Sequence, residues 1–239
     1  MCTVSYIPTS AGFILTSSRD ESVYRPTLAP ERYFHNGNIL IYPKDELAGG
    51  TWIAANNNGR MACLLNGAFE NHIKKEKYEK SRGQVLLESF EYESCGTFYK
   101  NVNLIGVEPF TLLLIDKQNF NELRWDGRQK HIKTVNPAIP EIWSSVTLYN
   151  QEAIEQRRKW FFRWIKNKID IPGFDIAGFH SGFHGENMEN DIVMKRNGGL
   201  QTLSISQIII RKNSGHFSYI DLVKKETHRY DLNKDKKLT

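Results

Sequence analysis

Apolar-rich, β-prone runs separated by Gly, Pro and Asn turns dominate the first part of the chain and return after its middle, while helical periodicity is confined to a few stretches. Thr3 to Ile7 and Phe13 to Ser17 flank Pro8-Thr9-Ser10-Ala11-Gly12, which predicts a hairpin closed by a five-residue turn. Pairing Ile7 with Phe13 then sets Cys2 opposite Ser18. A second hairpin is better marked: Thr51 to Ala55 and Met61 to Leu65 flank Asn56-Asn57-Asn58-Gly59, and Asn-Gly is the strongest short hairpin signal. Phe110 to Ile115 reads as a buried strand. Asn121 to Trp125 and Lys130 to Val135 flank a turn at Asp126-Gly127. Ile142 to Leu148 is a further strand, and Leu203 to Arg211 with His216 to Leu222 form a last hairpin around Asn213-Ser214-Gly215.

Three segments read as helices. Ser81 to Phe90 carries Val85, Leu86, Leu87 and Phe90 on or near one face. Gln151 to Lys168 repeats Ile154, Trp160, Phe161, Trp164 and Ile165 at helical spacing, with charges on the other face. Asp175 to Ser181 is a short third. Strands precede helices and then return, without strict β-α-β alternation. The expectation is an α+β fold with largely antiparallel sheets, in one domain spanning residues 1–239. About ten strands and two or three helices predict two stacked sheets with the helices outside.

Composition narrows the class. Of 239 residues, 40% are hydrophobic and 25% charged, an ordinary globular profile that excludes a collagen-like or disordered chain. The net charge is +5. The densest basic stretch, Lys74 to Arg82, is interrupted by Glu76 and Glu79, so no nucleic-acid partner is expected. The longest strongly apolar run, Leu112 to Ile115, falls far short of the ~20 residues of a membrane span. No basic residue precedes Arg19 and polar residues interrupt the first eighteen positions, so no secretory signal is expected. The three cysteines, Cys2, Cys63 and Cys95, are widely spaced with no C-x-x-C pair. Such usage fits a reducing, cytoplasmic compartment and predicts neither a disulfide framework nor a structural zinc site.

The candidate chemistry starts at Cys2. Removal of the initiator methionine exposes a residue with both a thiol and a free α-amine. The amine, with a pKa of roughly 8 in model peptides, accepts the proton that makes the thiol a nucleophile. The predicted hairpin brings Arg19, Asp20 and Glu21 beside it. A cation there lowers a thiol pKa, and a carboxylate there orients the amine. The second hairpin ends in Leu65-Asn66-Gly67, where the Asn66 amide could donate to an oxyanion. His180 and His184, four apart with Glu186 close by, have metal-ligand spacing. However, Gly178, Gly182 and Gly185 make a regular helix there unfavourable, and no metal or other cofactor is expected. Cys63 reads as a small buried hydrophobe, Cys95 has no basic neighbour to activate it, and Trp160-Phe161-Phe162-Trp164 reads as a core stripe.

These motifs together resemble the NRDE family, also called the transport and Golgi organisation protein 2 family. Its pattern is matched by Met1-Cys2, Ser18-Arg19-Asp20-Glu21, Arg25-Pro26 and Gly49-Gly50-Thr51-Trp52, then by Gly59, Ala62, Leu64 and Asn66. That family is similar to N-terminal nucleophile hydrolases with a terminal cysteine, the bile-salt hydrolase and penicillin V acylase group. The resemblance implies a four-layer αββα sandwich and hydrolysis of a non-peptide amide. Cys2, Arg19, Asp20 and Asn66 are the implied catalytic residues, with either Asp20 or Glu21 as the carboxylate that holds the amine. Glu21, Arg25, Trp52, Ser145 and Ser204 are the implied substrate-binding positions. Three positions depart from the pattern: Ser18 replaces an Asn, Trp143-Ser144-Ser145 replaces Leu-Ser-Asn, and Thr202 to Ile208 lacks the late arginine, with Ser204 in its place. The departures motivate an alternative, a non-catalytic haem or lipid-metabolite binding or trafficking protein on the same scaffold.

Overall fold

The structure of the chain, a computed structural model, describes residues 3–117, 119–166, 177–185 and 187–233. Two wholly antiparallel sheets stack on one another. Along the chain the strands are β1 (Thr3–Thr9), β2 (Gly12–Ser22), β3 (Thr27–His35), β4 (Asn38–Asp45), β5 (Ile53–Asn56), β6 (Met61–Asn66) and β7 (Phe110–Ile115). They continue with β8 (Phe120–Trp125), β9 (Lys130–Thr134), β10 (Glu141–Ser144), β11 (Leu200–Arg211), β12 (Ser214–Asp221) and β13 (Glu226–Asp231). The first sheet has the order β10-β1-β2-β11-β12-β13 and the second runs β3 to β9 in sequence order. The helices are α1 (Arg82–Glu88), α2 (Cys95–Asn101), α3 (Gln151–Ile165) and α4 (Ala177–Ser181).

Strand alternation explains the layering. On β1, Val4 and Tyr6 face the second sheet, while Ile7 joins the outer cluster with Ile14 of β2. Tyr6 meets Phe120 across the sheets at 4.7 Å between ring centroids, and the Trp143 indole donates to Glu122 of β8 at 2.6 Å. Helices α3 and α4 cover the outer face of the first sheet, where Phe161, Ile165 and Phe179 pack on Ile7, Ile14 and Ile142. Helix α1 covers β5 and β6 on the other side. Both faces of β7 are buried, in keeping with its largely apolar sequence. The result is the expected helix–sheet–sheet–helix sandwich.

Five features differ from the sequence expectation, one being that the strand expected over Ile142 to Leu148 ends at Ser144. The first hairpin is tighter by one residue: Ile7 pairs with Ile14 and Thr3 with Ser18. Pro8 reads as the first residue of the turn, yet it continues β1, because pairing with β10 stops at Tyr6 and no neighbour there needs its missing N–H. Strands β3 and β4 form a hairpin around Asn36-Gly37, both at positive φ (45° and 81°), a turn signal not used above. Strand β13 and helix α2 were also unforeseen; α2 starts at a capping box formed by Ser94 and Thr97. The long helix runs from its Asn150 cap to Ile165 with Lys166 as its C-cap, and residues 167 and 168 of the predicted span, with residues 175 and 176 of the short helix, lie outside the described residues.

Candidate active site

Residues of the motifs meet at the end of the sandwich where β2, β5 and β6 converge. Alternation along β2 sends Arg19 and Glu21 inward and Ser18 and Asp20 outward. Arg19 is 2% exposed. Its guanidinium lies 4.8 Å over the ring of Trp52 and donates to Asp45 Oδ2 at 3.0 Å. Burial lowers the Arg19 pKa, opposed by the negative charges of Glu21 and Asp45. The same Asp45 oxygen accepts from Arg25 Nε at 2.7 Å, and Oδ1 accepts the Ala48 N–H at 2.9 Å. Burial pushes the Asp45 carboxyl up, but the Ala48 N–H and the two arginines outweigh it and the net shift is downward. Glu21 approaches Arg25 at 3.5 Å. Asp45 was not singled out in the sequence; an Asp three residues before Ala48 at the start of a glycine turn was the available signal.

The Gly49-Gly50-Thr51-Trp52 motif has a packing reason. A Cβ on Gly50 would stand 2.5 Å from the carbonyl carbon of Gly83, and one on Gly83 would stand 2.7 Å from the Thr51 carbonyl oxygen. Backbone meets backbone there, so the loop lies against the start of α1 and carries Trp52 under Arg19. The Trp52 indole N–H is buried with no hydrogen-bond partner among the described residues.

These side chains line a cleft of about 320 Å³. Arg19, Glu21, Arg25, Trp52 and Asn66 all contribute to it. Lys74, Lys80 and Arg82 add positive charge, against Asp45 and Glu108. That gives five cationic side chains to three anionic ones. Arg82 pairs with Glu108 at 3.0 Å, and burial lowers its pKa. Asn66 ends β6 half-buried and also lines a second hollow of about 210 Å³ with Trp143, Ser144 and Val146. Its main-chain carbonyl accepts from Ser145 Oγ at 2.8 Å. Ser145 is thus tied to the site through Asn66 rather than lining the larger cleft. Ser204 pairs with Arg19 in register but is fully buried away from the cleft. Cys2 lies outside the described residues.

On the outer face, Asp20 is buried. Its Oδ2 accepts from the Tyr149 hydroxyl at 2.7 Å and its Oδ1 from Thr202 Oγ1 at 2.6 Å. His180 bridges the first two strands, with one ring nitrogen 2.7 Å from Ser5 Oγ and the other 2.8 Å from Ser18 Oγ. Burial, aided by Arg157 and His184, pulls its pKa down to about 3. With both nitrogens taken by hydroxyls, His180 has none left for a metal. Among the described residues no group of three or more His, Cys, Asp or Glu is arranged to hold one, and no helix is long and apolar enough to cross a membrane. Cys63 and Cys95 are buried, and burial pushes both thiols up to about 12. A larger hollow, about 590 Å³, lies between Asn58, Arg60 and Tyr92, but no motif residue reaches it.

A family model described as Transport and Golgi organisation 2 matches residues 1–214. An uncharacterized protein of Saccharomyces cerevisiae, YGR127W, is 29% identical over 124 residues, a match covering 49% of this chain and 31% of that protein. Among solved structures, a variant of conjugated bile acid hydrolase from Clostridium perfringens superposes with a TM-score of 0.61 at 12% identity, covering 98% of this chain and 93% of that one. A second variant of the same hydrolase, with alanine replacing the cysteine at its second position, gives 0.61 at 11% identity with the same coverage. The Caenorhabditis elegans ortholog of N-acylethanolamine-hydrolyzing acid amidase gives 0.58 at 12% identity, covering 90% and 98%. These likenesses show a fold like that of the N-terminal nucleophile hydrolases.

Proposed function

The chain belongs to the Transport and Golgi organisation 2 family, and we propose that it is an amidohydrolase of linear, non-peptide amides in which Cys2 is the nucleophile after Met1 is removed. The observation that carries this reading is the buried Arg19 at the foot of the cleft, one residue beyond Ser18, the partner of Thr3. Arg19 lies on the face of β2 that meets the second sheet, the face taken by Val4 and Tyr6 on β1.

In this reaction the Cys2 thiol gives its proton to its own α-amine, and the sulfur bonds to the substrate carbonyl carbon. The C=O electron pair moves onto oxygen, where the Asn66 amide donates to it. Collapse breaks the C–N bond, and the leaving amine takes the proton from the α-ammonium. Water then attacks the thioester, releasing the acid and restoring the thiol. Arg19 keeps the site positive and favours the thiolate. Asp20, on the outer face, is the carboxylate suited to hold the amine, and Glu21 with Arg25 lines the cleft.

The test is intact-mass analysis followed by turnover of N-acyl amides of varied head group. The reading expects Met1 to be absent, a transient acyl adduct on Cys2, and no turnover by Cys2→Ala. Full activity of Cys2→Ala, or retention of Met1 in an active protein, refutes it. The excess of cations in the cleft supports a second reading, binding of an anionic haem or lipid metabolite without turnover. There, Cys2→Ala keeps the ligand-induced rise in melting temperature and no substrate is consumed.

A further inference from the structure

The outer face of the first sheet holds a buried charge that the reaction above leaves unused. Arg157 of α3 is fully buried, and no carboxylate among the described residues lies within ion-pair distance of it. An isolated buried guanidinium is costly, so its hydrogen bonds show what it is kept for. Its Nε donates to the Asn190 carbonyl at 3.0 Å and one Nη to Thr3 Oγ1. The other Nη donates to the Asp191 carbonyl and, at 2.7 Å, to the Tyr149 hydroxyl. That hydroxyl in turn donates to Asp20 Oδ2 at 2.7 Å. Cation and carboxylate are therefore joined through one hydroxyl, which the cation polarises into a stronger donor. Both ends reach the start of β1: Arg157 grips Thr3, and Asp20 stands on β2 two residues past Thr3's partner.

We propose that Arg157 and Tyr149 are positioning residues for the Cys2 centre, fixing Thr3 and Asp20 so that the terminal amine and thiol are held in register with the substrate carbonyl. The proposal rests on the reading of Cys2 as nucleophile. Tyr149 is the joint of the network, because its ring also stacks under the Arg157 guanidinium, 3.5 Å from the centroid. The other charged or titratable groups around it are few. His180 of α4 stays neutral across the neutral range. Asp191 accepts the N–H groups of His184, Gly185 and Ile192. Arg196 lies 5.3 Å from the Tyr149 ring and bonds the Leu148 carbonyl and Asn190. Glu21 points to the opposite face of β2.

The test is alkylation of Cys2 by iodoacetamide as a function of pH, read by peptide mass, in the unaltered protein, Tyr149→Phe and Arg157→Lys. Tyr149→Phe keeps the ring and its stacking but cuts the link to Asp20. It is expected to slow alkylation at neutral pH by about tenfold or more. It also moves the acid limb of the profile to higher pH, since an amine left loosely held stabilises the thiolate less. Arg157→Lys keeps the charge, loses the fork, and shifts the limb the same way by less. A merely structural clamp lowers the melting temperature and leaves the folded protein's profile in place; that result in either variant overturns the proposal, and either variant carries the readout if the other does not fold. Cys2 of the unaltered protein reacting no faster than free glutathione is a different failure: it removes the nucleophile reading and this proposal with it.

Discussion

Replacing Asp45 by asparagine removes the carboxylate that accepts hydrogen bonds from two arginines of the cleft. Oδ2 lies 3.0 Å from Arg19 and 2.7 Å from Arg25, and the Arg19 side chain is 3% exposed against 38% for Arg25. The effect therefore falls on Arg19, since an exposed partner is screened by water. Stranding a buried charge costs roughly 3 to 5 kcal/mol. The Trp52 face, worth about 0.5 to 2 kcal/mol, and the nearby Glu21 carboxylate remain in place, so the expected loss is ~3 kcal/mol, the low end of that range. In a chain of this size that lowers the melting temperature by roughly 6 to 12 °C. The pH dependence supplies the sign. Asp45 ionises more easily in the folded state than in the unfolded chain. Its contribution is thus complete above the ordinary aspartate value of about 3.9 and drains away as pH falls below it. Urea unfolding followed by tryptophan fluorescence should show a wide gap between the two proteins at neutral pH that closes under acid. A gap below ~0.5 kcal/mol at neutral pH, the scale of an unimportant surface change, refutes the reasoning, and so does a gap that persists unchanged in acid.

His180 makes a second acid-dependent contribution in a different window. Its folded pKa of about 3 lies below the ordinary 6.5, so the unfolded chain takes up the proton first and stability drains from about pH 6.5 downward; His180→Gln should flatten the stability profile between those two values, and an unchanged slope counts against the assignment. Gly50→Ala drives a Cβ against Gly83 backbone and should cost about 1 to 3 kcal/mol or more, seen as a lower urea midpoint; a neutral result means the loop yields. In Cys2→Ala, Ellman's reagent should label nothing until denaturant is added, because Cys63 and Cys95 are buried with thiols pushed up to about 12; native labelling contradicts that burial. Ser81→Ala deletes one half of the capping box that starts α1 and should lower stability by about 1 kcal/mol, measured by thermal melting.

Local signals carried most of the architecture. The Asn-Gly turn, the apolar run of β7 and the periodicity of α3 each report on neighbours in sequence, and each found its element. The motif residues Arg19, Trp52 and Asn66 all line one cleft. Long-range partners were illegible. Arg157 reads as one more charge on the polar face of a helix, yet it bonds a residue 154 positions away, and the Tyr149 hydroxyl reaches Asp20 across 129. Nothing in local spacing encodes such pairs; they follow only once helix α3 docks on the sheet. Asp45 was missed for the same reason, because its arginine partners come from another strand and a loop.

The one-residue error in the first hairpin has a larger consequence than its size suggests. A strand's side chains alternate, so slipping β1 against β2 by one position exchanges every face. In the observed register Arg19 faces the cleft with Trp52 and Asp45, while Asp20 faces the buried network of Tyr149, Thr202 and Arg157. Adjacent residues of one motif thereby do different work on opposite sides of a single sheet, one toward solvent and ligand, the other toward a sealed, hydrogen-bonded interior. What fixes that division is apolar: Val4 and Leu15 belong to the core between the sheets, Ile7 and Ile14 to the core under the helices. Moving either pair to the wrong face would take two large side chains from one core and put polar ones in their place. The ordinary packing of β1 and β2 therefore sets which carboxylate enters the buried network and which cation meets the cleft.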